Sequence, residues 1–125
     1  MTWAICILAA TTFLIHTFIG GPRVAAPLLA DTSLPKASKW LNYFCWHIAT
    51  VLLAFMTGAF AWLALKPQPA VLGPALVFFG ALSLVLSVLS AGVAMRGGIN
   101  PLRFPSTSLF AAIAVVCAFD FNRIV

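Results

Sequence analysis

The stretch WLNYFCWHIATVLLAFMTGAFAWLAL, residues 40–65, decides the fold class of this chain. It contains no Asp, Glu, Lys or Arg. It also exceeds the roughly 20 apolar residues that a helix needs to cross the ~30 Å hydrocarbon core of a bilayer. The stretch lacks the strict apolar and polar alternation that marks a strand of a membrane barrel. It therefore predicts a transmembrane helix.

Three further apolar runs complete the prediction of an all-α, integral membrane four-helix bundle. The four predicted spans cover about residues 3–20, 40–65, 71–95 and 108–124, within one domain that comprises residues 1–125. Composition agrees with this class, because 63% of the residues are hydrophobic and 7% are charged. Soluble domains have about 25% charged residues, so the aqueous globular class is excluded. The first run lacks a basic N-terminal region, and we expect it to be a span rather than a signal peptide.

The glycine- and proline-rich connections predict where the helices end. The longest connection, GGPRVAAPLLADTSLPKASK at residues 20–39, contains three prolines that interrupt helices, so we expect a loop on the membrane surface. The paired glycines of GGPR and RGGIN are expected to end helices as C-terminal caps. Ser106 or Thr107 is expected to cap the N-terminus of the fourth helix.

The distribution of Lys and Arg predicts the orientation. The connections after spans one and three contain five of the 7 Lys and Arg residues. Loops on the cytoplasmic side carry an excess of such residues. We therefore expect a multi-pass protein of the bacterial cytoplasmic (inner) membrane with both termini outside. The lipid bilayer is the expected partner. Nucleic acid is not, because the net charge of +5 is dispersed over the chain without a basic cluster.

The stretch LIHTFIGGPRVAAPLLAD, residues 14–31, places a titratable side chain, His16, inside the first apolar run. His47 lies in the second run, and in an antiparallel hairpin both imidazoles would be about 6 to 10 Å inside the same membrane face. The simpler expectation is that no cofactor binds and that each histidine is satisfied by a hydroxyl, a carbonyl or water. The alternative is a cofactor-binding pair, His16 and His47, for a b-type haem or a metal.

Small and polar residues recur at helical spacing and predict the faces on which the spans pack. Span one offers Ala9, Thr12, His16 and Gly20; span two offers Tyr43, His47, Thr50, Ala54 and Gly58; span three offers Gly80, Ser83, Ser87 and Ser90. The side chains predicted to form a polar interior are Thr12, Tyr43, Thr50, Ser83, Ser87 and Ser90. Near the end of span four, Asp120 and Arg123 are spaced for an ion pair one helical turn apart.

Our leading functional prediction is a non-enzymatic structural or accessory component, acting as a homo-oligomer or within a larger membrane complex. Catalysis on polar substrates needs acids, bases or nucleophiles in a cleft, and the chain has few of them. We predict no catalytic residue and do not expect an enzyme. Two alternatives stay open: a haem-binding electron-transfer protein that uses His16 and His47, and a small-solute or proton transporter with its path along the serine row of span three.

Overall fold

The computed structural model describes residues 2–124, which form helices joined by short turns. In chain order the elements are α1 (Thr2–Leu14), a π-helical segment (Ile15–Ala25), α2 (Ala26–Ala30), α3 (Lys36–Leu65), α4 (Pro69–Arg96), a 3-10 turn (Pro101–Arg103) and α5 (Pro105–Ile124). The first three elements run on as one helix, Thr2–Ala30, which we call the first span. Four helices are thus long and apolar enough to cross a membrane, and the predicted all-α bundle is confirmed.

The first span is longer than the sequence predicts, because it continues to Ala30 instead of ending near Gly20. The expected C-terminal cap at GGPR is wrong. In an α-helix the ring of Pro22 would clash with the carbonyl four residues earlier. In the π-helical segment hydrogen bonds reach back five residues, as from the Ala26 N–H to the Gly21 carbonyl. We infer that this wider turn lets the chain pass Pro22 while remaining helical.

The predicted surface loop at residues 20–39 is consequently reduced to residues 31–35. Both the hydroxyl and the backbone N–H of Ser33 donate to Asp31 Oδ1, at 2.6 and 2.7 Å. These two bonds hold the pKa of the Asp31 carboxyl below its usual range. The Lys39 ammonium donates to the Leu29 carbonyl at 3.1 Å, where a cation stabilises the end of a helix.

The second pair of glycines ends a helix as predicted. The Ile99 N–H donates to the Ala94 carbonyl at 2.8 Å, and the Gly98 N–H donates to the Met95 carbonyl at 3.1 Å. Gly98 has a φ of +69°, a conformation that glycine adopts without strain. This bonding pattern is the Schellman motif, and it stops α4 at the edge of the bundle.

The four spans pack as two close pairs, α1 with α3 and α4 with α5. Contacts between α1 and α5 hold the two pairs together. The rings of Phe60 and Phe79, with centroids 5.3 Å apart, fill the space between α3 and α4. Only 17 to 22% of the most apolar window of each span is buried inside the chain. The outward surface is therefore apolar over most of its area, as expected of a protein that faces lipid.

The face of α3 that packs inward is not the predicted one. Its buried side chains are large, namely Leu53, Met56, Phe60 and Leu63. The small residues Ala54 and Gly58 are exposed. Because lipid tails are as apolar as leucine, hydrophobicity does not distinguish the two faces, and interlocking of large side chains decides which one packs. The predicted stripes of the first span and of α4 do lie inside: Ala9, Thr12, Ser83 and Ser87 are buried.

Candidate functional site

His16 is held at the beginning of the π-helical segment by two groups from α3. Its Nε2 lies 3.1 Å from Thr50 Oγ1 and 3.3 Å from the Trp46 carbonyl oxygen. A carbonyl oxygen only accepts hydrogen bonds, so the second contact assigns the ring hydrogen to Nε2. The Thr50 hydroxyl in turn donates to the same Trp46 carbonyl at 3.1 Å. The imidazole is therefore satisfied by a hydroxyl and a carbonyl, and its Nδ1 remains an acceptor.

The indole of Trp46 lies flat against this imidazole, with ring centroids 3.9 Å apart and an interplanar angle of 17°. Gly20, one turn after His16, makes this arrangement possible. A Cβ atom at Gly20 would lie 2.6 Å from Trp46 Cη2, well inside the contact distance of carbon atoms. The glycine thus gives the indole room to cover the imidazole. Trp46 was not among the predicted site residues, although it lies four residues before Thr50 on the same side of α3.

A cavity of about 220 Å³ lies beside this cluster, between the first span, α3 and the beginning of α5. Its lining residues include His16, Gly20, Arg23, Trp46, Ser106 and Phe110. Arg23 and Ile19 line the cavity and are exposed, so it opens on the outer surface of the bundle. Within residues 2–124, neither carboxylate forms an ion pair with Arg23.

The side chains of the predicted polar interior lie in separate surroundings, and not all of them form hydrogen bonds. Thr12 donates to the Leu8 carbonyl of its own helix at 2.8 Å. Thr50 bonds His16, as described above. Tyr43 is half-buried, and its ring lies at about a right angle to the His47 ring, with centroids 4.5 Å apart. Ser83 is buried, and its Oγ has no hydrogen-bond partner among the described residues.

Two serines of α4 fasten α4 to α5. Ser87 donates to the Thr107 carbonyl at 2.8 Å, and the Ser90 hydroxyl lies 2.6 Å from Ser106 Oγ and 3.0 Å from Thr107 Oγ1. The predicted N-terminal cap at Ser106 or Thr107 is therefore wrong: the helix begins at Pro105, and both hydroxyls bind Ser90. This part of the serine row holds two helices together.

His16 and His47 have different surroundings in the structure. His47 is exposed on the outer side of α3, and within residues 2–124 each imidazole has its own ring partner, Trp46 for His16 and Tyr43 for His47. Of the two histidines, only His16 lines the cavity. Pockets for drug-sized ligands are about 300 to 1,000 Å³, so the cavity is also small for a macrocycle. Haem or metal binding by the two histidines stays a prediction.

The remaining titratable side chains do not add a metal site. Residues 2–124 contain no group of three or more His, Cys, Asp and Glu side chains placed to hold a metal ion. Asp120 is 7% exposed and lines a cleft of about 370 Å³ with Thr2 and Arg123, at the opposite end of the bundle from Arg23. The Arg123 guanidinium lies 5.6 Å from the centre of the Phe119 ring. The Asp120–Arg123 ion pair stays a prediction.

Four long apolar helices with an apolar exterior define the class of this chain, a small four-span α-helical membrane protein. Comparison with protein-family models, with curated proteins and with solved structures finds no match to the chain.

Proposed function

We propose that the protein is a non-enzymatic structural component of the membrane that associates with a second copy of itself through the outer face of α3. The observation that carries the proposal is the exposure of His47 on that face. The internal polar contacts support a structural role as well, because the hydroxyls of Ser87 and Ser90 join helices.

The depth of His47 makes its exposure costly for a single copy. Trp40 and Trp62 are exposed near the two ends of α3, where tryptophan usually marks the two membrane interfaces. His47 follows Trp40 by seven residues, which places it ~10 Å below the first interface. Ionisable side chains inside a bilayer almost always face a protein interior. Within residues 2–124 the Tyr43 ring contacts the His47 ring at about a right angle, and a second chain would complete the surroundings of His47.

The same face of α3 allows a second helix to approach closely. His47, Val51, Ala54 and Gly58 follow one another at helical spacing and are all exposed; we call them the His47 face. Among residues 2–124, and apart from the neighbouring backbone of α3 itself, no atom lies within 4 Å of a Cβ placed on Gly58. Small residues at such positions let two membrane helices make backbone contacts, which drive association where hydrophobicity does not.

A second copy is the partner that best fits this face. In a dimer whose two-fold axis is perpendicular to the membrane, the two α3 helices run parallel and identical residues meet at equal depth. A neutral imidazole carries one donor and one acceptor nitrogen, so histidine is complementary to itself. His47 of one copy would donate to His47 of the other. Lipid tails offer no hydrogen-bond partner, so the second copy would supply the one that His47 lacks among residues 2–124.

The test is the association of copies labelled with a donor and an acceptor fluorophore in lipid vesicles, over a range of protein-to-lipid ratios. We expect transfer above the random level for the wild type. His47→Leu should weaken the dimer by about 3- to 30-fold, since a hydrogen bond between membrane helices is worth about 0.6 to 2 kcal/mol. Gly58→Leu should abolish it by steric contact. Ala81→Leu, an exposed position on α4, is the matched control and should associate like the wild type.

Two results would contradict the proposal. One is a wild-type protein that is monomeric at every protein-to-lipid ratio. The other is a Gly58→Leu protein that associates as strongly as the Ala81→Leu control.

A further inference from the structure

The cavity beside His16 and Arg23 is lined by other residues than those of the His47 face, and self-association does not account for it. We propose that it binds an anionic phospholipid, with the headgroup phosphate at Arg23 and a part of one acyl chain along the apolar walls. This binding site is independent of self-association, so either proposal can fail alone.

The position of Arg23 along the first span fits a lipid headgroup. Arg23 follows Trp3 by 20 residues, which would span about 30 Å as an α-helix and somewhat less through the π-helical part, close to the thickness of the hydrocarbon core. With Trp3 near one interface, Arg23 lies near the other. The helices alternate in direction, so the end that holds Arg23 also holds other cations. The five Lys and Arg residues at this end are Arg23, Lys36, Lys39, Arg96 and Arg103, against two at the opposite end. Such an end attracts anionic lipid.

The cavity provides two different surfaces. Towards the core its walls are apolar side chains, among them Ile15, Leu53 and Phe110. At the outer end lie the Arg23 guanidinium and Ser106, which belongs to the first turn of α5. A cavity that is apolar inside and has a cation at its opening is complementary to an amphiphile, which has an apolar tail and a charged head. At about 220 Å³ the cavity takes part of a lipid and not a whole one.

The chemistry of the lining places the phosphate at Arg23 and not at His16. The guanidinium is always charged and offers a fixed set of donors that match phosphate oxygens. It has no carboxylate partner within residues 2–124, so its donors are available to a ligand. The Nε2 hydrogen of His16 is directed at Thr50 and the Trp46 carbonyl. Its Nδ1 accepts hydrogen bonds in this tautomer and does not attract an anion.

Trp46 lines the cavity and provides the signal for a test. The protein with Trp3, Trp40 and Trp62 replaced by Phe retains Trp46 alone. It is reconstituted in phosphatidylcholine vesicles that contain increasing fractions of phosphatidylglycerol with brominated acyl chains, which quench indole fluorescence on contact. The reference series uses brominated phosphatidylcholine.

We expect brominated phosphatidylglycerol to quench Trp46 at about 5-fold lower mole fraction than brominated phosphatidylcholine, since one cation near the surface contributes about 1 kcal/mol to anionic lipid binding. Arg23→Gln should remove this preference. Arg103→Gln is the matched control: it removes a cation from the same end, outside the residues that line the cavity, and should retain the preference. Unchanged emission without brominated lipid shows that the Arg23→Gln protein keeps its fold around Trp46.

Three results would overturn the proposal. Equal quenching by the two brominated lipids would show that the cavity does not select an anionic lipid. An equal loss with Arg23→Gln and Arg103→Gln would assign the preference to the general surface charge. Loss of the preference for phosphatidylglycerol when inorganic phosphate is added, but not when chloride is added at the same ionic strength, would identify a site for a water-soluble anion instead of a lipid.

Discussion

Replacing Gly20 with alanine tests whether the contact between Trp46 and His16 organises this end of the bundle. The new Cβ would lie 2.6 Å from Trp46 Cη2 and 3.2 Å from Cζ2. Carbon atoms in contact are about 3.5 to 4.0 Å apart, so the indole must move by about 1 Å. The movement would disturb the stacking of the indole on the imidazole, whose ring centroids are 3.9 Å apart.

Two opposing contributions set the magnitude. Forcing an extra carbon atom into a packed site costs about 1 to 3 kcal/mol. Replacing glycine by alanine inside a helix gains up to about 1 kcal/mol. Gly21→Ala is the matched control, because it has the same gain and no atom within 4 Å of the new Cβ. The Gly20→Ala protein should therefore be less stable than the Gly21→Ala protein by about 1 to 3 kcal/mol.

The assay is the free energy of unfolding of both variants in mixed micelles, measured by titration with a denaturing detergent. The emission of Trp46, with Trp3, Trp40 and Trp62 replaced by Phe, reports its surroundings in the same samples. We expect the Trp46 emission to change in the Gly20→Ala protein alone. A Gly20→Ala protein that is as stable as the Gly21→Ala protein, with unchanged emission, would refute the packing that we describe.

Three further outcomes follow from particular contacts. Ser90→Ala should lower the free energy of unfolding by about 0.6 to 1.7 kcal/mol, because it removes the hydroxyl bonds between α4 and α5. Ser108→Ala, whose hydroxyl bonds its own helix, is the control and should change stability little in the same titration. Gly98→Ala should lower the stability of the bundle in that titration by about 1 to 2 kcal/mol, since its φ is +69°, whereas alanine at the preceding glycine should be tolerated. The pKa of Asp31, measured by NMR, should lie below the usual range, so its contribution to loop stability is present above the unfolded pKa and disappears as the pH falls through the folded one. Ser33→Ala should raise this pKa.

The sequence alone predicted three of the four spans closely, and the structure shows why. The bounds of α3, α4 and α5 differ from the predicted ones by four residues or fewer at each end. Span length and composition depend on the chain alone, because any helix that crosses a bilayer must satisfy its own backbone and present an apolar side. The end of the first span was predicted wrongly. Two glycines and Pro22 normally end a helix, and no residue pattern near them predicts that the chain continues as a π-helix.

The candidate site could be predicted only in part. His16 was identified because a titratable side chain is unusual inside an apolar run. Its partners were not identified, since Thr50 is 34 residues away and the Trp46 carbonyl is 30 residues away. The pairing of His16 with His47 relied on depth, which the sequence predicts. The direction of His47 around α3 decides whether the two rings can meet, and a shift of one residue along a helix turns a side chain by about 100°.

What the sequence by itself determined is the class of the protein and the places where its helices cross the membrane, because these follow from apolar length and charge. Only the tertiary structure decided which faces pack, how the chain passes Pro22 and what surrounds His16 and Arg23. The physical reason lies in the solvent: lipid and protein interior are almost equally apolar, so hydrophobic periodicity does not mark the inside of a membrane bundle. Close packing between residues that are distant in the sequence, such as the indole of Trp46 against Gly20, makes that distinction.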